Sequence, residues 1–384
     1  MRIAILLIAA FLALPLAALE QHFVGPKVAR TSITVIENVA YRKAGDEPLR
    51  FNVYRPKNEA VVPVVIFANI GNPVMKEMPG YAGWGEALAG AGVAAVQYNA
   101  LQPSAVTDYG ELFAALQAHA AEYRLDLSRV VIWAGSSNVL LGLPAAMDPA
   151  NRYIRGAVFY YGAADVAQIR LDLPVFCARA GQDGAGLNQR IDALVARALA
   201  ANAPWTVVNV AAGVHGFDVF NDDEIARDTV DRTIAFILRV TTPQAMTAYA
   251  AAAPEAATAA AFNRGDWSAA ADGYRRRVAA HPDEAIAHLR LGQALSGQQQ
   301  FAEALPEIER AWDLGMQGPR DTALPAAVAA AGAGNIDRAV HWLDVLLSTP
   351  FGGDPASYLT DERFARIREE PAFRAVVDKH RVSR

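Results

Sequence analysis

At 384 residues the chain is too long for one compact module, so two domains are expected. Hydrophobic residues make up 53% of it, which excludes disorder, and a formal net charge of -5 gives no electrostatic basis for binding nucleic acid or an anionic membrane. The lone Cys177 excludes an internal disulfide framework, and no Cys/His cluster has zinc-site spacing.

The N-terminus reads MRIAILLIAAFLALPLAALEQ: basic Arg2, an apolar run, then Ala17 and Ala18 before Glu20. This pattern predicts a secretory signal peptide over residues 1–18, and therefore a periplasmic or secreted protein. The run is shorter than the ~20 residues of a spanning helix, so no membrane span is expected in the mature chain. No cysteine follows it to carry a lipid.

Residues 19–240 alternate apolar strand-like runs with helical stretches. The predicted strands are Arg50–Tyr54, Val62–Ala68, Val93–Tyr98, Val130–Trp133, Ala157–Tyr161, Val175–Arg179 and Trp205–Val210. Between them fall predicted helices Gly83–Ala91, Glu111–Tyr123, Val139–Ala146 and Gln189–Ala201, with Glu224–Val240 closing the domain. Strands alternating with helices predict an α/β fold, a mostly parallel sheet covered on both faces.

From Thr241 the strand signal stops. Residues 241–260 are alanine-rich and read as a linker or a docking helix. Residues 261–384 carry a repeat: NRGDWSAAA, GQQQFAEAL and GAGNIDRAV place Trp267, Phe301 and Ile336, and likewise Ala270, Ala304 and Ala339, at offsets of 34 and then 35. Helical hairpins of the tetratricopeptide type recur at about 34 residues, with a small residue where paired helices approach. The segment resembles such an array, which implies an all-α domain able to hold a protein or peptide partner.

The chemistry centres on VVIWAGSSNVLLG, Val130 to Gly142, a strand running into a serine pair. A serine nucleophile on a tight strand-to-helix turn needs small residues two positions before and after it, because the two backbones crowd there. Ser136 is framed by Ala134 and Asn138, and Ser137 by Gly135 and Val139. A β-branched valine fits the crowded position worse, which favours Ser136. A serine needs a base, and in this arrangement an acid and then a histidine follow in the chain. LPVFCARAGQD ends a strand at Asp183, and WTVVNVAAGVHGFD puts His215 just after the next. Of the seven histidines, His215 alone is predicted in a loop after a sheet strand. Ser136, Asp183 and His215 are the expected triad: nucleophile, orienting acid and general base.

These motifs resemble the α/β-hydrolase superfamily, in the branch around dienelactone hydrolase-like and prolyl-oligopeptidase-like enzymes. The likeness runs from YRKAGDEPLRFNVYRP through VPVVIFANIG, the serine turn, AGQD and HGFD. DLSRVVIW resembles the D-x-x-R that opens the nucleophile strand in that family, where the nucleophile comes seven residues after the arginine; from Arg129 that residue is Ser136. The resemblance implies hydrolysis of esters, lactones or peptides without a cofactor or metal. It also implies two backbone N–H donors for an oxyanion, from Ser137 and from Ile70 in the loop Asn69-Ile70-Gly71-Asn72, where relatives carry His-Gly-Gly. Dienelactone hydrolases use a cysteine nucleophile; here the turn carries serine, and Cys177 reads as core. Gly162–Pro174 leaves no room for a helical cap, so a shallow pocket, or one covered by another part of the chain, is expected. The expected function is an exported serine hydrolase acting on a small-molecule ester, lactone or amide. The alternatives are a serine peptidase, or an interaction module built on the repeats with the hydrolase domain as scaffold.

Overall fold

The computed structural model describes residues 22–44 and 47–382, so the expected signal peptide lies outside the described residues. The chain divides into two compact units, the first running to Ala251 except for Ala200–Asn202 and the second starting at Ala252.

The first unit is built on an eight-stranded sheet: β1 Ile33–Ala44, β2 Glu47–Pro56, β3 Val62–Phe67, β4 Ala94–Tyr98, β5 Leu125–Gly135, β6 Ile154–Tyr160, β7 Val175–Ala180 and β8 Trp205–Val210. In space the order is β1-β2-β4-β3-β5-β6-β7-β8. β2 runs antiparallel to both of its neighbours, and every other pairing is parallel. The fold class is the expected one: a mostly parallel sheet of the α/β-hydrolase type, followed along the chain by an all-helical region.

The helices of this unit are α1 Pro79–Gly90, α2 Ala105–Tyr123, α3 Val139–Met147, α4 Ala185–Ala200, the short α5 Phe217–Phe220 and α6 Glu224–Val240. Successive side chains of a strand point to opposite faces, and the burial follows that rule. Val64 and Ile66 of β3 and Val130 and Ile132 of β5 pack with Leu112 and Leu116 of α2, Leu143 of α3 and Ile191 of α4. Val65, Phe67, Val131 and Trp133 face the other way, toward Trp84 and Leu88 of α1 and Val230 and Ile237 of α6. Strands buried on both faces read as unbroken apolar runs, which is why VPVVIF and VVIWA were legible as strands. Each such Val or Ile contributes roughly 1.5–3 kcal/mol of burial.

β1 departs from the expectation, which placed no strand before Arg50. Its pairing with β2 slips between Ile36 and Val39 and again between Ala40 and Arg42, with Asn38 at φ 60°. These bulges break the period-two alternation that identifies a strand in sequence.

The second unit is helical: α7 Pro243–Asn263, in which the chain passes from the first unit to the second, then α8 Trp267–Ala280, α9 Ala285–Gly297, α10 Phe301–Asp313, α11 Leu324–Gly332, α12 Ile336–Leu347 and α13 Pro371–Val382. The 34/35 offset has a packing cause. A Cβ on Gly297, at the end of α9, would lie 2.5 Å from the Trp267 ring, and one on Gly332, at the end of α11, 2.4 Å from the Phe301 ring. Trp267 and Phe301, which open α8 and α10, thus each pack against the glycine that ends the following helix. Ala270, Ala304 and Ala339 are fully buried where the helices meet. Among the described residues no helix is long and apolar enough to cross a membrane.

Candidate active site

The site lies past the C-terminal ends of β5, β7 and β8, where open α/β sheets present their ligand crevice. Ser136 follows β5 directly, in a one-turn 3₁₀ segment Ser136–Asn138 that runs into α3. Its φ is +58°, a conformation disfavoured for a residue with a Cβ by about 1–3 kcal/mol. The surroundings enforce it. A Cβ on Gly162 would stand 2.4 Å from the Ser136 carbonyl oxygen, and one on Gly142 2.7 Å from the Ala134 methyl. Strand and helix therefore cross over Ala134 and Gly142, and Asn138 is accommodated because its side chain leads away toward the loop after β3.

Asp183 sits in the turn after β7. Its Oδ1 accepts from the Gly184 N–H at 2.8 Å, and its side chain is 10% exposed. His215 lies in the turn after β8, ahead of Gly216 (φ 79°) and α5. Its Nδ1 is 2.6 Å from Asp183 Oδ2, and its Nε2 is 2.8 Å from Ser136 Oγ. With the proton on Nδ1 and donated to the carboxylate, Nε2 presents a lone pair to the serine hydroxyl. The three residues expected from the sequence are thus brought into one hydrogen-bonded chain. Ser137 is exposed and takes no part in it.

The two expected oxyanion donors differ. The Ser137 N–H stands at the start of its turn, where amides have no intrahelical partner. The Ile70 N–H is engaged: it donates to Asn138 Oδ1 at 3.0 Å. Asn69 fixes the loop that carries Ile70. Its buried side chain accepts from the Gly71 and Asn72 N–H groups at 3.0 and 2.6 Å, and donates to the Asn72 and Tyr98 carbonyls at 2.8 and 2.7 Å.

Beside Ser136 and His215 opens a pocket of about 150 Å³, walled by Met78, Tyr81, Trp84, Trp133, Tyr161 and Phe220. The Tyr161 ring lies 4.8 Å from that of His215. At the base Asp218 is buried, its carboxylate accepting from Trp84 Nε1 at 2.8 Å and from the Tyr161 hydroxyl at 2.7 Å. Burial raises the Asp218 pKa, against which both hydrogen bonds act. Burial likewise pushes up the Tyr81 and Tyr161 hydroxyls, so both stay neutral, Tyr161 donating to Asp218 and Tyr81 accepting from Asn138 Nδ2. Sequence reading missed Tyr81 and the roles of Asn69, Asn138 and Asp218. The polar Asn69 ending an apolar strand and the Asp218 three residues past His215 were the available signals.

No helix covers the stretch between Tyr161 and Pro174, in line with the missing cap. Cys177, in β7, is buried, and burial pushes its thiol up to about 12, which excludes it as a thiolate nucleophile at neutral pH.

No protein-family model matches the chain, and no curated protein matches it in sequence. Solved structures similar to it include one of two fungal esterases from Rhizomucor miehei (16% identity, TM-score 0.45, spanning 54% of this chain and 84% of that one). A bacterial heroin esterase (15%, 0.44, 56% and 85%) and a thermostable esterase from Pseudomonas putida (15%, 0.46, 56% and 86%) are similar at the same level. At these identities and scores the likeness carries no argument about the reaction, which rests on the site's own geometry.

Proposed function

We propose that the chain is a serine hydrolase of carboxylic esters or lactones, working through an acyl-enzyme on Ser136. The observation that carries this reading is the continuous hydrogen-bond chain Asp183–His215–Ser136, with the serine held at positive φ beside an aromatic pocket. Ser136 Oγ attacks the acyl carbon as His215 Nε2 takes its proton. The tetrahedral oxyanion collapses, the bond to the alkoxy oxygen breaks, and the alcohol leaves with the proton returned by His215. Water, deprotonated by the same imidazole, then releases the acid. Asp183 holds the tautomer and offsets the imidazolium charge. Backbone N–H groups of Ser137 and Ile70 serve the oxyanion.

The helical unit is read as a tetratricopeptide-type array that holds a protein or peptide partner, supported by the glycine-under-aromatic repeat of Gly297 and Gly332. Residues 1–18 are read as an export signal on their sequence alone.

A fluorophosphonate probe, with peptide mapping of the adduct, tests the nucleophile. A panel of short-chain esters, lactones and aminoacyl amides tests the bond cleaved. An adduct on Ser136 with ester turnover is expected. An amide-only profile favours a serine peptidase, and no adduct at Ser136 overturns the reading.

A further inference from the structure

The Ile70 N–H is one of the two donors the proposed hydrolase reaction needs, and it already has an acceptor inside the protein. That amide cannot turn away to find substrate elsewhere, because the four Asn69 side-chain bonds fix its loop. The acceptor is itself held: Asn138 is buried at 8% exposure, and its Nδ2 donates to the Tyr81 hydroxyl at 3.1 Å. Tyr81 in turn lines the pocket beside Ser136. An amide N–H makes one good hydrogen bond. Whatever oxygen takes the Ile70 donor therefore has to displace Asn138 Oδ1.

We infer that Asn138 is a rate-setting residue that competes with the reacting substrate for the Ile70 amide. The inference rests on the proposed serine-hydrolase reading and goes beyond it. Its physical content is a difference between two acceptors. The carbonyl oxygen of a bound ester is a neutral acceptor, no better than the carboxamide oxygen already in place, so it does not displace Asn138 in the ground state. The oxyanion of the tetrahedral intermediate is charged, and charge-assisted hydrogen bonds are roughly twice as strong as neutral ones. The oxyanion therefore wins the exchange, but it starts from an occupied donor. Such a cost falls on the transition state alone and appears in kcat, with KM unchanged.

The expected size follows from the donor it masks. Complete loss of one oxyanion donor costs roughly 10²–10³ in kcat, and displacement of a neutral acceptor recovers much of that, leaving a deficit of about tenfold. The arrangement also accounts for a small-residue frame that Asn138 breaks: its side chain lies on the Ile70 loop instead of in the crossing of β5 over α3.

Two substitutions with opposite expected signs test this in the full-length chain. Asn138→Ala frees the Ile70 amide and should raise kcat on a short-chain ester by about tenfold with KM unchanged, per site titrated with a fluorophosphonate. Asn138→Asp keeps the size and still accepts from the Ile70 N–H, with the Tyr81 hydroxyl turned round to donate to it, but it sets a negative charge against the same amide. It should lower kcat by at least about 100-fold, since the oxyanion then competes with another anion. Titrating active sites corrects for any unfolded fraction, and the aspartate variant is the readout where the alanine variant folds poorly. An Asn138→Ala enzyme no faster per labelled site, or an aspartate variant at wild-type rate, overturns the competition while leaving the Ser136 reading intact. Absence of a Ser136 adduct in the wild type sinks the hydrolase reading and this inference together.

Discussion

The two units handle conformational strain differently. In the sheet unit, non-glycine residues with positive φ include Ser136 and Tyr161, both at the site, and buried polar side chains gather at the strand ends as Asn69, Asn138 and Asp218. In the helical unit, positive φ recurs at equivalent turns, at Gly265, Gln299 and Gly334. Many of its polar links are arginine–carboxylate pairs such as Arg277–Glu284 and Arg338–Glu309, partly open to solvent and individually weak. At the site of the first unit the left-handed conformation falls on the serine itself; in the second it recurs at the turns before Trp267, Phe301 and Ile336, where successive helices stack. The contrast teaches where substitutions should abolish chemistry and where they should only change stability.

The largest effects belong to the strand-end cluster. Ser136→Ala and His215→Gln should each lower ester turnover by about 10⁴-fold or more, and Asp183→Asn by about 10⁴-fold through the wrong imidazole tautomer. Thermal midpoints should stay within a few degrees, because all three lie in turns past the C-terminal ends of their strands. Ser137→Ala should still form the phosphonate adduct, since its backbone N–H survives. If Ser137 is instead the residue that carries the label, the serine turn is read one position out.

Asp218 tests whether the polar core under the pocket is as demanding as the triad. Asp218→Ala leaves the Trp84 N–H and the Tyr161 hydroxyl without their acceptor, at roughly 1–3 kcal/mol for each orphaned donor. Urea unfolding should show the loss, and a midpoint equal to wild type would refute it. The pH dependence has a definite sign. The folded-state pKa of Asp218 is raised by burial, so the group's contribution is full below the unfolded carboxyl value of ~3.9 and is lost as pH rises through the folded value. Asp218→Asn removes that dependence. Its stability deficit relative to wild type should therefore be larger at acid pH than at neutral pH.

In the helical unit, Gly297→Leu or Gly332→Leu drives a side chain into the Trp267 or Phe301 ring. Overpacking of this kind costs typically 1–3 kcal/mol. Circular dichroism should record the loss while the Ser136 adduct forms at the wild-type rate. A parallel fall in labelling would show that the two units do not separate chemistry from stability.

What the sequence made legible follows the same division. The central strands were readable because burial on both faces makes them apolar throughout, and Ser136, Asp183 and His215 because each sits just past such a run. Bulged β1 was not readable, since the residues at Asn38 and Tyr41 disrupt the alternation. The Ile70–Asn138 bond joins residues 68 positions apart and leaves no local pattern; Asn138 registered only as a departure from a small-residue frame. The repeat was legible as a bulky and a small residue at fixed offsets, but the glycines beneath Trp267 and Phe301 lie about 30 residues further on and belonged to no pattern until the helices were in place.

The smallest effect lies in the repeat's middle turn. Before Trp267, Phe301 and Ile336 the chain adopts the same conformation three times. Asp266, Gln300 and Asn335 have φ/ψ of -77°/75°, -84°/55° and -87°/85°, and each donates its N–H to the carbonyl five residues back, at 2.9–3.0 Å. Asp266 and Asn335 cap their helices, accepting from the Ala269 and Arg338 N–H groups at 3.2 Å; Gln300 makes no such bond. The residue before each follows suit, with Gly265 and Gly334 at φ 74° and 75° but Gln299 forced to 63°. The middle turn has the shape of its neighbours without the residues that favour it. Gln300→Asn supplies a cap worth about 1 kcal/mol, and Gln299→Gly relieves a left-handed side chain at a similar gain, less the entropy of glycine. The pair together should raise stability by about 1–2 kcal/mol in urea, while Asp266→Ala and Asn335→Ala each lower it by about 1 kcal/mol. A destabilised Gln299→Gly/Gln300→Asn chain would mean the three turns are alike in backbone only, and that the glutamines make contacts of their own.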